Sequence, residues 1–300
     1  MNKQVDYSSI TESPNLKATQ EQLARLYQRY HFARQFAKDK DVLEVACGSG
    51  IGLGYLAKVA KSVVGGDVDK KNVNLARENY KLKDEREVRE DKKLRRWEDI
   101  ENEKMGRWED EKLRSCEDGK LRNWKIDIQI MDAHNLDFSD DSFDLVLLFE
   151  AIYYLKDPDK FVTEAERVLR ENGNLIICTV NKDWDDFHPS PYTYKYFSVP
   201  ELYEILKGKF DAVMMYGGFP VNNNGIKNKV ISFIKRMAVK FNLIPGSLKA
   251  RAYLKRIFMG KLIPLPAEVY EGMAPYESPV SIPVDKINKD FKIIYAVASK

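Results

Sequence analysis

The sequence predicts an α/β fold in which a doubly wound sheet of seven strands carries helices on both faces. Short apolar runs typical of buried strands alternate with stretches that have the spacing of amphipathic helices. The first such strand, residues 42–45, leads into a glycine turn and then a helix. Two further runs, 210–216 and 292–298, are predicted to be the last two strands of the sheet.

The glycine turn predicts a ligand site at the edge of this sheet. Gly48, Gly50 and Gly52 follow the first strand at alternate positions. Glycine tolerates positive φ and lets a ligand approach bare backbone, and nucleotide-like ligands bind where such a turn enters a helix. The spacing disfavours the dinucleotide pattern G-x-G-x-x-G, because Leu53 stands at the position of the third glycine, and no G-K-[ST] phosphate loop follows.

Acidic residues end the next two predicted strands, 62–67 and 126–131. Asp67 could accept hydrogen bonds from ribose hydroxyls, although an acid here could also cap the helix over 70–80, a role that Asp69 fits better. Asp132 is followed by the small residue Ala133, and this pair suits a flat base with an exocyclic amine.

Three motifs then resemble those of class I S-adenosylmethionine-dependent methyltransferases. Glu44, Gly48 and Gly50 match D/E-x-G-x-G-x-G, with Ala46 in place of the first glycine and Gly52 just beyond the pattern. Residues 62–67 are similar to V-x-G-x-D. Residues 132–146 match the type 11 methyltransferase-domain pattern D-A-x-x-L-P-F-x-D-x-S-F-D-x-V, with Asp137 where proline is usual. The resemblance implies a Rossmann-like fold whose last two strands, 210–216 and 292–298, form an antiparallel hairpin. It also implies S-adenosylmethionine as cofactor, with Asp132 at the adenine amino group and Ala133 beside the ring. The cofactor-binding residues it implies are Glu44, Ala46, Gly48, Gly50, Asp67, Val68, Asp132, Ala133 and Phe149.

Two regions are predicted to contact the methyl acceptor. The loop at 181–197 is rich in aromatic residues, and the N-terminal helix at 16–37 offers Tyr27, Tyr30 and His31, which could equally pack the helix on the sheet. Methylation of a weakly acidic hydroxyl needs a general base. The candidate catalytic residues are His188, His134 and Tyr153.

Composition narrows the class of protein. The 300 residues carry a net charge of only +3, and three cysteines form neither an even disulfide set nor a metal-ligand spacing, which indicates a reducing, cytoplasmic setting. We expect no metal, no signal peptide and no membrane-spanning segment. A nucleic-acid acceptor is disfavoured, because neither N/D-P-P-Y/F nor Pro-Cys follows the fourth strand.

Two insertions interrupt the predicted core. Residues 83–124 repeat the unit K-L-R-x-W-E-D and are interpreted as a charged low-complexity excursion. Residues 225–261 contain ten Lys/Arg and no Asp/Glu on helical spacing, which predicts either a solvated basic face or contact with an anionic membrane at the inner surface. The predicted organisation is an N-terminal helical cap at 1–40, a methyltransferase core at 41–217, a basic helical insertion at 218–288 and a last core strand at 289–300.

The sequence therefore favours an S-adenosylmethionine-dependent methyltransferase that acts on a small-molecule, glycan or lipid-linked acceptor. Two alternatives remain at this point, namely a non-catalytic S-adenosylmethionine-binding partner protein and a nicotinamide-dependent oxidoreductase. Leu53 argues against the second of these.

Overall fold

A computed structural model describes residues 11–82, 126–221 and 262–300 of the chain. The charged repeat predicted at 83–124 and the basic helical segment predicted at 225–261 lie outside the described residues. Within the described ranges the chain forms one eight-stranded mixed sheet and a separate two-stranded ladder. The ladder joins β1 (Lys17–Ala18) to β8 (Ile263–Pro264).

Five parallel strands build one half of the large sheet. Neighbouring strands in this half run in the order β4, β3, β2, β5, β6. The strand order reverses at β2, which lies between β3 and β5, and ligands of open α/β sheets bind beyond the carboxyl ends of the strands at such a reversal. The strands are β2 (Asp41–Val45), β3 (Ser62–Asp67), β4 (Ile126–Ile130), β5 (Phe143–Phe149) and β6 (Leu169–Val180).

The other half of the sheet is antiparallel, as predicted. β10 (Phe291–Ser299) lies between β6 and β7 (Ala212–Pro220) and runs antiparallel to both. An eighth strand, β9 (Val280–Ile282), pairs with β7 at the edge and was not predicted. Only one of its three residues is buried, so the sequence there carries almost no strand pattern.

Helices cover both faces of the sheet, and the strand side chains alternate between two hydrophobic clusters. Val42 and Leu145 face one cluster, whereas their neighbours Leu43 and Val146 face the other. Among the described residues no helix is both long enough and apolar enough to cross a bilayer. The first cluster includes α1 (Gln20–Ala37), α2 (Leu53–Ala57) and α3 (Lys70–Asn79), and the second includes α4 (Pro158–Val168) and α5 (Val199–Leu206).

Beyond β7, the described part of the predicted basic insertion is residues 262–288, which contain no helix, contrary to expectation. They form two short strands joined by turns and irregular segments, and they pack against α1 and α2. Glu271 accepts hydrogen bonds from the hydroxyls of Tyr27 and Tyr55, each at 2.7 Å, and forms an ion pair with Arg34. These contacts depend on side chains more than two hundred residues apart in the chain, so local helical spacing could not reveal them.

Candidate functional site

A cavity of about 560 Å³ opens at the carboxyl ends of β2, β3 and β5. This volume is within the range of small-molecule sites. Of the nine residues that the resemblance assigns to the cofactor, only Gly50 lies outside its wall. The eight that line it are Glu44, Ala46, Gly48, Asp67, Val68, Asp132, Ala133 and Phe149.

The turn after β2 presents backbone rather than side chains to this cavity. Ala46 and Gly48 both have positive φ, at 56° and 57°. Left-handed backbone is unfavourable for alanine, which explains why glycine is the usual residue at the position of Ala46. A Cβ added at Gly48 would come within 2.6 Å of Thr11 Cγ2, so Thr11 packs directly over the turn.

Gly50 serves the packing of the turn on α3. Its φ is 71°, and a Cβ added there would lie 2.9 Å from Ala76 Cβ. The Gly50 carbonyl accepts a hydrogen bond from the Tyr80 hydroxyl at 2.7 Å. A larger side chain at this position is therefore expected to strain the helix contact, and it would not enter the cavity wall.

Glu44 is a buried acid whose hydrogen bonding is incomplete. The residue is 2% exposed, and its Oε1 accepts a hydrogen bond from the Tyr30 hydroxyl at 2.6 Å. Its Oε2 has no hydrogen-bond partner among the described residues. Burial raises the pKa of Glu44 from 4.5 to about 7. A cationic group of a ligand, such as an ammonium, would supply the missing donor.

Glu44 should make stability depend on pH in a defined direction. The unfolded chain ionises Glu44 near pH 4.5, whereas the folded protein keeps the proton up to about pH 7. Between these values the folded state binds more protons, so the free energy of unfolding declines as pH rises. We expect Glu44→Gln to remove this decline in urea unfolding measured across the interval.

The exposed acid Glu204, which pairs with Lys207 on the surface, provides the control. Glu204→Gln should keep the pH slope of the unmodified protein. The same slope in Glu44→Gln would mean that Glu44 is ionised throughout the interval.

Asp67 organises the turn and keeps one acceptor position for a ligand. Its Oδ2 accepts from the backbone N–H of Gly48 at 2.9 Å, and its Oδ1 accepts from the N–H of Asp69 at 2.8 Å and from Asn72 Nδ2 at 3.2 Å. A carboxylate has about four acceptor sites, so one remains for a ligand. Asp69 caps α3 through the N–H of Lys71, as the sequence predicts.

Asp132 is held by His134. Asp132 Oδ1 accepts hydrogen bonds from the His134 N–H at 2.9 Å and from His134 Nδ1 at 2.8 Å, and these lower the pKa of Asp132. Asp132 Oδ2 is left to accept from an amino group. His134 Nε2 accepts from the Asp157 N–H at 3.3 Å, so both ring nitrogens already have partners. The contacts of His134 favour the positioning of Asp132 over proton abstraction.

The other two catalytic candidates differ in where the fold places them. Tyr153 lines the cavity, and its hydroxyl donates to Glu150 Oε2 at 3.0 Å. Burial holds the pKa of Tyr153 well above its ordinary value, so this hydroxyl stays a donor. His188 is exposed and lies outside the cavity wall.

Helix α1 contributes to the cavity with fewer of its predicted aromatic residues, and with an arginine that was not predicted. Tyr30 lines the cavity, whereas Tyr27 and His31 lie outside its wall. The Tyr27 hydroxyl donates to Glu271, and the His31 ring packs at a tilt against the Tyr276 ring. The sequence analysis did not select Arg29, which lines the cavity and forms an ion pair with Glu12. The Arg29 side chain is only 8% exposed, and its Nε has no partner among the described residues.

Glu150 is the second residue of the cavity that sequence reasoning missed. It directly follows β5 and has a φ of 51°. The sequence did contain a signal for Glu150, because an acid directly after the apolar run of a predicted strand is expected at the ligand-binding edge of the sheet.

Comparisons with known proteins show the family to which the chain belongs. A family model described as a methyltransferase domain matches residues 16–225, more than two thirds of the chain. A protein named probable S-adenosylmethionine-dependent methyltransferase from Mycolicibacterium smegmatis is 26% identical over 56% of this chain and 50% of its own length. Methyltransferase GfsG from Streptomyces halstedii is 26% identical over 58% of this chain and 48% of its own.

A third relative is the ubiquinone biosynthesis O-methyltransferase of Pelagibacter ubique, 23% identical over 48% of this chain and 44% of its own length. The chain thus spans about half the length of the curated relatives it matches. The solved structure of YcgJ from Bacillus subtilis aligns with 93% of this chain and 98% of its own, with a TM-score of 0.49 and 15% identity.

The family match and the sheet order lead to the same assignment. Five parallel strands with a reversal at β2, followed by the antiparallel β7 and β10, give the predicted Rossmann-like arrangement. The chain belongs to the methyltransferase-domain family, within the class I S-adenosylmethionine-dependent methyltransferases.

Proposed function

We propose that the protein transfers a methyl group from S-adenosylmethionine to a small-molecule, glycan or lipid-linked acceptor. One observation carries the proposal: acids at the ends of β2 and β3 and after β4 meet a bare glycine turn in a single cavity. These acids are Glu44, Asp67 and Asp132.

The side chains of the cavity fit the parts of S-adenosylmethionine. Asp67 would accept from the ribose and Asp132 from the adenine amino group. Glu44 Oε2, which has no partner in the described part of the chain, would accept from the ammonium group. Arg29 would pair with the carboxylate of the ligand, in competition with Glu12. S-adenosylmethionine supplies a methyl group activated by a sulfonium, and the protein contributes by holding donor and acceptor in line.

An oxygen acceptor has the better support. One relative is named as an O-methyltransferase. The absence of N/D-P-P-Y/F at 149–152 continues to disfavour a nucleic-acid base. Contact with an anionic membrane through residues 225–261 stays a prediction from charge alone.

Calorimetry with S-adenosylmethionine and with NAD tests the proposal. We expect saturable binding of S-adenosylmethionine and none of NAD at the same concentration. Binding of NAD alone would contradict the proposal in favour of an oxidoreductase. Binding of S-adenosylmethionine without methyl transfer to any acceptor in cell extract would instead favour a non-catalytic binding protein.

A further inference from the structure

We propose that Glu150 is a catalytic residue whose carboxylate takes the proton from a hydroxyl group on a neutral, ring-shaped acceptor. The inference rests on the proposed function and names the acceptor chemistry of the same cavity. The position of Glu150, its contacts and the side chains around it support this role.

Glu150 lines the cavity directly beside a residue that the resemblance assigns to the cofactor. It follows Phe149, one of the predicted cofactor residues, and both line the cavity. Its N–H donates to the Cys178 carbonyl at 2.8 Å, which ties the turn to β6. A φ of 51° is unfavourable for glutamate, and such strained residues cluster at active sites, where the surrounding structure holds them in place.

One carboxylate oxygen of Glu150 is fixed and the other is available. Oε2 accepts the Tyr153 hydroxyl at 3.0 Å. Among the described residues, the Tyr153 hydroxyl is the one donor to the Glu150 carboxylate, and it contacts Oε2 and leaves Oε1 for a ligand. This is the arrangement that a general base needs, because one contact orients the carboxylate while a free lone pair meets the proton of the acceptor.

Tyrosines form the wall beside Glu150. Tyr153 and Tyr154 have ring centroids 4.6 Å apart, and Tyr194, which also lines the cavity, donates its N–H to the Tyr153 carbonyl at 2.8 Å. Aromatic faces suit a flat phenol or the apolar face of a sugar ring. Around Glu150 the positive charges of Arg25 and Arg29 balance the acids Glu12 and Glu150, so this part of the cavity has no excess negative charge to attract a cationic amine.

Burial raises the pKa of Glu150, and the nearby guanidinium charges of Arg29 and Arg25 oppose that rise. A carboxylate with a raised pKa is a better proton acceptor than an exposed one. The titratable and charged groups that face it from the surrounding elements are Glu12, Arg25, Arg29, Tyr153, Cys178 and Tyr295.

The proposed methyl transfer is an in-line displacement. The acceptor oxygen forms a bond to the methyl carbon as its O–H bond breaks, and the proton passes to Glu150. The carbon–sulfur bond breaks with its electron pair on sulfur, which releases S-adenosylhomocysteine. Glu150 then returns its proton to solvent.

The test uses radiolabelled methyl from S-adenosylmethionine with catechol, methyl glucoside and benzylamine as separate acceptors. We expect label in catechol or methyl glucoside, and the acceptor that is labelled identifies the ring as a phenol or a sugar. Glu150→Gln should lower kcat by about 100-fold or more, with the Kd for S-adenosylmethionine unchanged. The surface variant Glu204→Gln should match the unmodified protein.

The pH profile separates catalysis from a structural role. The kcat of the unmodified protein should rise with pH as Glu150 ionises, and Glu150→Gln should lose this rise. Glu150→Asp, which keeps a carboxylate on a shorter arm, should recover the rise at a lower kcat.

Four outcomes would overturn the inference. They are transfer to benzylamine alone, transfer to none of the three acceptors by protein that binds S-adenosylmethionine, an unchanged kcat in Glu150→Gln, and an unchanged pH profile in Glu150→Gln. Failure to bind S-adenosylmethionine at all would instead refute the proposed function.

Discussion

Replacement of Asp67 with alanine is expected to weaken the binding of S-adenosylmethionine by roughly 1.5–3 kcal/mol. This corresponds to about a 10- to 150-fold increase in Kd. Two losses combine in this variant: the ribose loses a charged acceptor, and the Gly48 N–H loses the carboxylate that accepts it at 2.9 Å. Isothermal titration calorimetry on the folded variant measures the change directly.

The neighbouring acid Asp69 provides a matched control for this experiment. Its carboxylate accepts the Lys71 N–H at 2.8 Å and caps α3. Asp69→Ala should therefore cost about 1 kcal/mol of stability while leaving the Kd for S-adenosylmethionine close to that of the unmodified protein. Equal affinities of Asp67→Ala and the unmodified protein would show that Asp67 is only a structural residue of the turn.

Replacement of Gly52 with alanine is expected to lower the free energy of unfolding by about 3 kcal/mol, as overpacking in a close-packed core does. A Cβ at Gly52 would overlap the ring of Tyr30. Tyr30 is 2% exposed and its hydroxyl donates to Glu44, so the ring cannot move without breaking that hydrogen bond. Urea unfolding measures the loss.

Gly208 provides the control, because no heavy atom of residues 11–82, 126–221 or 262–300 lies within 4 Å of a Cβ added there. Gly208→Ala should change stability by no more than about 0.5 kcal/mol. Gly52 has a φ of −104°, which alanine adopts readily, so the difference between the two variants reports the contact with Tyr30. Similar stabilities of the two variants would mean that Tyr30 relaxes at little cost.

The sequence by itself determined the features that are local in the chain. The parallel strands and the positions of Glu44, Asp67 and Asp132 follow from short apolar runs and the residues that end them, whereas the antiparallel pair β7 and β10 was implied by the family resemblance. Each of these residues lies at or just after the end of its own strand. The carboxyl ends of parallel strands meet at one edge, so strand periodicity is enough to bring these acids together.

Only the tertiary structure decided the contacts between distant segments. These contacts include the hydrogen bond from Tyr27 to Glu271, the packing of Gly50 against α3, and the hydrogen bond from Tyr153 to Glu150. The tertiary structure also added β9 from a segment expected to be helical. Such contacts depend on how side chains from distant segments pack together and on which buried polar groups hydrogen-bond to each other. Neither can be read from the hydrophobic periodicity of one segment of the sequence.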